Sequence, residues 1–599
     1  MVITRFVFLA AVLAICAADA SAREIRVPAG GNLQAALDAA RAGDTILLEA
    51  GATYVGNFRL PKHAGPGVIT VRSATADRLL PPPGTRITPA HAPLLPKIRS
   101  GNTGAALSTA PGAAGWRLVC LEFQANERGR NDIITLGDGS EAQRSLDQVP
   151  RDIRLERVYV HGDPLHGQKR GVALNSADTA IVDSHIAEMK AIGQDSQAVG
   201  GWNGPGPFLL ENNHLEAAGE VFMLGGSDPS IPDLVPSDVV LRGNRLTRPL
   251  RWRDPIVPAP TGVRALAAGA GRVRAGRLTY RIVAQRPAYD TVAVSVASDD
   301  VTLTLDAPGA VRLTWAAVPD ATEYRVYRRA GETEEFWTVR ATSFTDDGTQ
   351  PGTAGTPPRH GTVWEVKNIL ELKNARRVRI ERNLLEHNWA QAQSGVAVLF
   401  TTRNQNGRCR WCIVEDVVFE FNTVRGVGDG INILGRDDEK PSAQGHGFVI
   451  RHNRFLDIGS KWGGTGYFVY IQGEPRDVTI DHNTFVSADG AGIITVDGPP
   501  VAGFRFTNNL AVHLNYGVIG TNHAPGLSSI KRFFPDAVFS RNVIAGGDPS
   551  QYPPGNEFPT RVEFDRAFVD VREGNVTLTP QSKWSRGAAD GGPLGARVP

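Results

Sequence analysis

The sequence predicts an all-β protein, a right-handed parallel β-helix (solenoid) with an N-terminal capping helix and one inserted β-sandwich domain. Three observations predict this fold. A short motif with one asparagine recurs along the chain, most copies are about 30 residues apart, and one interval is longer by the size of a small domain. A repeat of this length is typical of one solenoid coil with two or three short strands.

The repeated motif is apolar-x-apolar-x-x-Asn-x-apolar. Alternating apolar residues would point into the core, and asparagine tolerates the left-handed turn between two strands. Stacked coils would place the asparagine side chains one strand spacing apart, so we expect an internal amide ladder. The motif asparagines are Asn213, Asn244, Asn383, Asn422, Asn453 and Asn483, with looser copies at Asn509 and Asn542 and a variant at Ser184.

The intervals between successive motif asparagines are 31, 139, 39, 31, 30, 26 and 33 residues. An ordinary β-sandwich is the alternative, but its turns rarely repeat one residue type at one phase so often. The open apolar end of a solenoid needs a cap. The amphipathic segment Leu33–Asp44 predicts a short helix in that place.

The interval of 139 residues contains the predicted insert. Removing residues 254–361 leaves roughly one ordinary coil, and prolines flank the removed stretch, as in linkers. Period-two strands with Trp315, Tyr324 and Tyr327 resemble a fibronectin type III domain, which implies a rigid spacer or binding module. The predicted domains are a signal peptide (1–22), an N-terminal β-helix segment (23–253), the insert (254–361) and a C-terminal β-helix segment with its tail (362–599).

The N-terminus has the features of a secretory signal peptide. Arg5 precedes the apolar run Phe6–Ala18, and the small residues that follow fit a signal-peptidase site. A membrane span needs about 20 apolar residues, so we expect a secreted or periplasmic protein without membrane insertion. The chain has 64 basic and 62 acidic residues, and this balance argues against a nucleic-acid partner.

Three cysteines follow the predicted signal peptide, Cys120, Cys409 and Cys412. Three thiols cannot form a disulfide framework. The last two have a metal-like spacing, but no second Cys/His pair completes a zinc site. We therefore expect a local disulfide or two inert thiols.

The chain outside the insert resembles the pectate-lyase-like right-handed β-helix superfamily, and more narrowly the uncharacterised β-helix-repeat proteins of bacterial secretomes. The resemblance implies a carbohydrate site in a groove along one parallel sheet. Most such proteins are polysaccharide lyases, hydrolases, epimerases or depolymerases, and the fold alone does not choose among them.

Candidate catalytic residues follow the strands that lie 10 to 20 residues before each motif asparagine. Lys373, Arg403 and Arg436 would line one groove, because strands of neighbouring coils are about 4.8 Å apart. A basic groove suits an acidic polysaccharide. β-Elimination from a uronate needs its carboxylate neutralised and its C5 proton removed, so we predict Lys373 as the base, Arg436 as the next choice, and Arg403 as the carboxylate ligand.

Carboxylates among these cations predict a Ca²⁺ site, because Ca²⁺ prefers oxygen ligands. The expected metal ligands are Glu371, Asp437 and Asp438. Residues expected to contact substrate are Asp195, Trp202, Asn432, Tyr470, Glu474 and His523.

Two other functions stay open. The first is an inverting glycoside hydrolase similar to the polygalacturonases, which need paired carboxylates flanking a water. Asp437-Asp438 and Gly445-His446-Gly447 are similar to elements of that family, but its other motifs are missing from this sequence. The second is a non-catalytic glycan-binding or adhesive surface protein.

Overall fold

The computed structural model describes residues 22–597 as an all-β chain, and the predicted signal peptide lies almost entirely outside this range. Three long parallel sheets of 14, 13 and 12 strands, here called sheets A, B and C, run the length of the main body. Successive coils add one strand to each sheet in the order A, B, C. The right-handed parallel β-helix predicted from the sequence is confirmed.

The strands of sheet A are Glu24–Val27, Thr45–Leu48, Ile69–Ser73, Ala114–Val119, Arg151–Glu156, Ala177–Val182, Phe208–Glu211, Ser237–Arg242, Ala375–Glu381, Val414–Glu420, His446–Arg451, Arg476–Asp481, Arg505–Thr507 and Val538–Ser540. The strands of sheet B are Thr53–Val55, Lys97–Arg99, Glu122–Gln124, Tyr159–His161, His185–Met189, His214–Ala217, Arg245–Thr247, Leu384–Asn388, Thr423–Val427, Arg454–Ile458, Thr484–Val486, Leu510–Val512 and Val543–Ala545. The strands of sheet C are Phe58–Leu60, Leu107–Thr109, Asp132–Gly137, Arg170–Asn175, Gln197–Gly201, Glu220–Leu224, Leu370–Leu372, Val396–Thr401, Asp429–Leu434, Tyr467–Gln472, Gly492–Val496 and Val518–Gly520.

The core fills the inside of the coils with rows of stacked apolar side chains. In sheet C, Phe222, Leu370, Val398, Ile431 and Val469 follow one another in register, and all are fully buried. Burying one such side chain stabilises the fold by about 1.5–3 kcal/mol. Because the side-chain period of a strand is two, the residues between these rows face outward.

The amide ladder is present in the turn between sheets A and B. Each Nδ2 donates to the Oδ1 of the next motif asparagine, as in Asn422 to Asn453 at 3.1 Å and Asn453 to Asn483 at 3.0 Å. The Nδ2 of Asn453 also donates to Phe419 O at 2.8 Å, and its Oδ1 accepts from Asn422 N at 2.9 Å. The ladder begins at Ser184, whose N donates to Asn213, and reaches Asn556, which the motif did not predict.

The prediction that the motif asparagine adopts the left-handed conformation is wrong. Positive φ belongs to the residue before each motif asparagine, such as Arg382 (57°), Phe421 (56°) and His452 (56°), and not to the asparagine itself. The asparagine must point its amide along the stack to reach both neighbours. The preceding residue therefore reverses the chain and carries the strain.

Different elements close the two ends of the solenoid. The predicted N-terminal helix spans Leu33–Ala39, with Asn32 as its N-cap, and buries Leu33 and Leu37. At the other end the sequence predicted no cap. The helix Leu527–Phe533 follows the last strand of sheet C and packs Ile530 and Phe533 into the core there. The helix Arg561–Asp565 and the strand pair Phe568–Asp570 and Asn575–Leu578 instead lie back along sheet B, where Arg561 Nη1 donates to Ser487 O at 2.9 Å.

The chain leaves the parallel sheets after Arg253 and forms two antiparallel sheets with a core of their own. Ile256 N donates to Thr362 O at 2.9 Å, so the two ends of the excursion are adjacent. The fibronectin type III resemblance and the predicted domain boundaries remain predictions. The antiparallel strands are Arg264–Ala267, Val311–Thr314 and Ser343–Asp346 in one sheet, and Gly276–Ala288, Thr291–Val294, Val301–Leu305, Glu323–Ala330, Thr333–Val339 and Thr353–Ala354 in the other.

The cysteines behave as structural residues. Cys409 and Cys412 form a disulfide within the loop that follows the strand Val396–Thr401. Cys120 is a buried free thiol whose pKa is raised by burial.

Candidate functional site

The outer face of sheet C carries a small polar cleft where the strands of four successive coils end. Its volume is about 180 Å³. The lining residues are Glu371, Lys373, Gln393, Leu399, Thr401, Arg403, Asn432, Leu434, Asp438 and Gln472. Of the predicted site residues, the structure thus brings together Glu371, Lys373, Arg403, Asn432 and Asp438.

Lys373 lies directly after the strand Leu370–Leu372 and extends into the cleft. Its backbone O accepts from Arg403 N at 2.9 Å, which makes these two residues lateral neighbours. The Lys373 Nζ is 3.3 Å from Gln405 Oε1 and 3.6 Å from Glu371 Oε1. A Cβ on Gly225 would collide with the Lys373 side chain, so glycine in the preceding coil leaves room for the lysine.

Arg403 is held in place by two aspartates of the next coil. Its Nη1 is 3.1 Å from Asp437 Oδ1 and also pairs with the half-exposed Asp438. Burial opposes ionisation of Asp437, but the N–H groups of Glu439 and Asn404 and the Arg403 guanidinium hold its pKa below the usual value. Burial acts to lower the pKa of Arg403, but the carboxylates of Asp437 and Asp438 act more strongly in the other direction. The net pKa is raised, and Arg403 is a cation.

A buried carboxyl group lies one coil upstream on the same face. Glu220 is 2% exposed, accepts from Gln197 Nε2 at 2.8 Å, and has the Lys367 Nζ at 3.9 Å. Lys367 in turn forms an ion pair with Asp195. Burial, with the negative charges of Glu371 and Asp195, raises the pKa of Glu220 to about 7. This carboxyl group therefore titrates near neutral pH.

Three predicted residues lie beside the cleft without lining it. Arg436 turns away, because its Nη2 donates to Gln444 Oε1 at 2.9 Å and its Nε is 3.6 Å from Glu474 Oε2. Tyr470 is the register neighbour of Asn432 on the outer face. Arg436, Glu474 and Tyr470 therefore form a rim in the coils that follow.

The remaining predicted substrate contacts are spread over other coils of sheet C. Trp202 donates its indole N–H to Gly139 O at 2.7 Å, and the Arg170 guanidinium carbon is 5.3 Å from its ring centroid. His523 follows the strand Val518–Gly520 and packs edge-on against Phe533. Neither residue reaches Lys373.

The predicted Ca²⁺ ligands do not fit a calcium site. Both oxygens of Asp437 already accept hydrogen bonds from the protein. Within residues 22–597, one group of three His, Cys, Asp or Glu side chains has ligand atoms within 4.8 Å of one another, and it consists of His185, His214 and Glu216 on sheet B. The predicted carboxylates do not meet that distance, so we assign no step of the chemistry to calcium.

The polygalacturonase-like elements belong to different sheets. His446 begins a strand of sheet A, and its Nε2 is 3.0 Å from Glu415 Oε2 on the neighbouring strand of that sheet. Asp437 belongs to the end of sheet C and is committed to Arg403. The two elements therefore do not form one site.

Several cleft residues were not predicted. Gln472 ends the strand Tyr467–Gln472 beside Leu434, and counting outward positions one step further would have found it. Gln393 and Gln405 come from loops, for which the sequence has no periodic signal. The loop with Gln405 is fixed through Asp228, which accepts from Asn406 N at 3.1 Å and from Arg408 N at 2.8 Å.

Comparisons with known proteins give structural neighbours only. No protein-family model matches the chain, and no curated protein matches it. A PL6 family alginate lyase, AlyGC, superposes with a TM-score of 0.47 at 13% identity, covering 96% of this chain and 57% of the lyase. PfbA, a surface adhesin of Streptococcus pneumoniae, gives a TM-score of 0.37 at 9% identity, over 82% of this chain and 89% of the adhesin.

A tailspike protein of E. coli bacteriophage HK620 gives a TM-score of 0.31 at 10% identity, over 89% of this chain and 74% of the tailspike. This chain spans little more than half the length of the alginate lyase. Likenesses at these identities assign no activity to it. In the stretch of the chain that the structure describes, no helix has the length and apolar character of a membrane span.

Proposed function

We propose that the protein is an exported carbohydrate-active enzyme that cleaves an acidic, uronate-containing polysaccharide by β-elimination. The observation that carries the proposal is the polar cleft on sheet C, where Lys373 and Arg403 of adjacent coils lie side by side. Most of its lining side chains are ionisable or amides, which suit the hydroxyl and carboxylate groups of an acidic sugar.

Arg403 is proposed to bind the carboxylate of the uronate. Asp437 is 3% exposed and fixes the guanidinium, whereas Asp438 is 58% exposed. Exposed ion pairs contribute about 0–1 kcal/mol, so a substrate carboxylate can displace Asp438 without disturbing Asp437. Paired hydrogen bonds from Arg403 would draw charge from the carboxylate and make the neighbouring C5 proton more acidic.

Lys373 is proposed to remove that proton. The C5–H electrons form the C4–C5 double bond, the C4–O4 bond breaks, and the leaving oxygen takes up a proton from water. The Lys373 ammonium then returns its proton to solvent, and the Glu371 carboxylate, 3.6 Å from the Lys373 Nζ, pairs with the ammonium until it does. Asn432 and Gln472 supply further hydrogen bonds to sugar hydroxyls.

Screening the purified mature chain against a panel of acidic polysaccharides tests the proposal. The expected result is ultraviolet absorbance from unsaturated uronate ends, with and without a chelator. New reducing ends without that absorbance would indicate the hydrolase instead. Retention on acidic-glycan columns without any turnover would indicate the glycan-binding protein.

A further inference from the structure

A second groove lies on the outer face of sheet B, away from the cleft on sheet C. It has a volume of about 830 Å³, and a C-terminal turn at Arg572–Gly574 forms one of its walls. Its cationic lining residues are Arg382, Arg425, Arg454, Lys461 and Arg572. The acidic lining residues are Asp457 and Glu573. This set of residues is here called the basic groove.

Several arginines of these coils, Arg425 of the basic groove included, have carboxylate partners. Arg245 and Arg425 both bind Glu386, at 2.6 and 2.7 Å. Arg451 binds Glu420 at 2.7 Å. Pairing of this kind is the usual arrangement for cations that are partly withdrawn from water.

Arg454 is the exception at the floor of the basic groove. It points outward between Thr423 and Thr484 in the register of sheet B. Among residues 22–597, no carboxylate lies within 4 Å of the Arg454 guanidinium and no hydrogen-bond partner reaches it. Burial is the one cause that lowers its pKa. Arg382 and Arg572, on the walls, likewise form no ion pair with a carboxylate of the described residues. Asp457 is already bound by Lys461 Nζ at 3.0 Å and by Trp462 Nε1 at 3.1 Å.

The floor between these cations is apolar. Leu384 and Leu456 occupy outward positions next to Thr423 and Arg454, and both remain partly exposed. Apolar contact beside guanidinium groups matches a sugar ring that presents C–H faces and carboxylate or sulfate edges. The near-balanced charge of the whole chain, +2, supplies no long-range attraction for a nucleic acid.

We propose that the basic groove is a non-catalytic binding site for an acidic oligosaccharide segment, held through Arg454 and Arg382. The choice of ligand rests on the proposed function, because a polymer cut on sheet C is available to sheet B of the same molecule. A site of this kind retains long substrate near the cleft and has little effect on short fragments.

The test measures binding of polygalacturonate, alginate and hyaluronan to full-length mature protein carrying Lys373→Ala, so that no polymer is cut. Adding Arg454→Ala and Arg382→Ala is expected to weaken binding of at least one polymer about tenfold or more, because each removes a charge-assisted hydrogen bond. Arg505→Ala, an exposed arginine on sheet A, is the matched control and should leave binding unchanged. Arg454→Lys should fall between the two, because it keeps the charge without the planar fork.

Unchanged polymer affinity in the double arginine variant, with native circular dichroism, would overturn the proposal. Equal competition by single-stranded DNA would overturn the assignment to sugars. Arginine-dependent binding without turnover of any polymer by the unmodified chain would support the basic groove while removing the lyase proposal, so the two failures are distinguishable.

Discussion

The turn between sheets A and B and the outer face of sheet C belong to the same coils but differ in sequence pattern. One residue type repeats in the turn, and the residue changes from coil to coil on the outer face. In the turn, asparagine recurs coil after coil and satisfies its neighbours with bonds of nearly constant length. On the outer face of sheet C, one register row reads Met223, Glu371, Leu399, Asn432 and Tyr470, with no residue repeated. Repetition marks the region that holds the stack together, and variation marks the region where the proposed site lies.

The largest expected effect belongs to the variable face. Lys373→Ala should lower product formation about a thousandfold, ~4 kcal/mol, because it removes the proposed base. The melting temperature should change little, because the Lys373 side chain makes one hydrogen bond, to Gln405, and one ion pair, to Glu371. Initial rates by ultraviolet absorbance and a thermal melt check both statements. Lys531→Ala, at an exposed lysine on the helix Leu527–Phe533, is the control. Equal loss of activity in both variants would contradict the assignment.

In the turn, a substitution is expected to lower stability and to leave activity nearly unchanged. Asn453→Ala should lower the free energy of unfolding by about 3 kcal/mol, because it leaves buried donors and acceptors of two neighbouring coils unpaired. Per folded molecule, turnover should change little. Chemical denaturation measures the loss, with exposed Asn515→Ala as control. A stability loss no greater than that of the control would show that the ladder is dispensable.

Glu220 lies on the variable face but is expected to affect stability. Its pKa of about 7 exceeds that of an unfolded glutamate, so the folded state binds the proton more tightly. Stability should therefore fall as pH rises from about 4.5 to 7, by at most about 3 kcal/mol. Glu220→Gln should reduce this fall in melting-temperature profiles, whereas exposed Glu127→Gln should not. A profile unchanged by Glu220→Gln would contradict the raised pKa.

The smallest effect is expected for the insert. Deleting residues 257–361 and joining Ile256 to Thr362 through two glycines should lower stability by only about 1–2 kcal/mol. The joined ends are already adjacent, and the loss comes from contacts such as those of Arg286 and Tyr289 with the carbonyls of Leu165 and Gly167. The body should keep its cooperative melt and its turnover. Loss of both in the shortened chain would show that the two antiparallel sheets belong to the body and are not an independent domain.

The sequence predicted the repeating turn more completely than the variable outer face of sheet C. The ladder could be predicted because a buried amide needs a hydrogen-bonding partner in the next coil, and asparagine recurs at that position. Its strained residue could not be assigned, because either of two adjacent residues can reverse the chain. The period of two along strands predicted the outward positions of Glu371, Lys373 and Asn432, which line the cleft. Arg436 did not line the cleft, because the strand ends at Leu434 and the period is lost in the loop. Gln393 depends on loop geometry alone.

The ladder crosses the insert without any change in its own geometry. Asn244 N reaches Asn383 Oδ1 at 2.9 Å across 139 residues, the same distance that Asn213 N spans to Asn244 across 31. Closing a flexible loop costs about 0.6 kcal/mol more for each doubling of its length, or about 1.2 kcal/mol for two doublings. An insert that folds first, with its ends together, removes most of that penalty.

The order in which the insert and the coils fold also matters while the chain is being synthesised. Until the insert has emerged and folded, the strand Ser237–Arg242 is an open sheet edge that no later coil covers. Open edges pair readily with other chains. The nascent N-terminal half is therefore most vulnerable to misassembly while the ribosome translates the insert, and fast folding of those roughly hundred residues shortens the exposure.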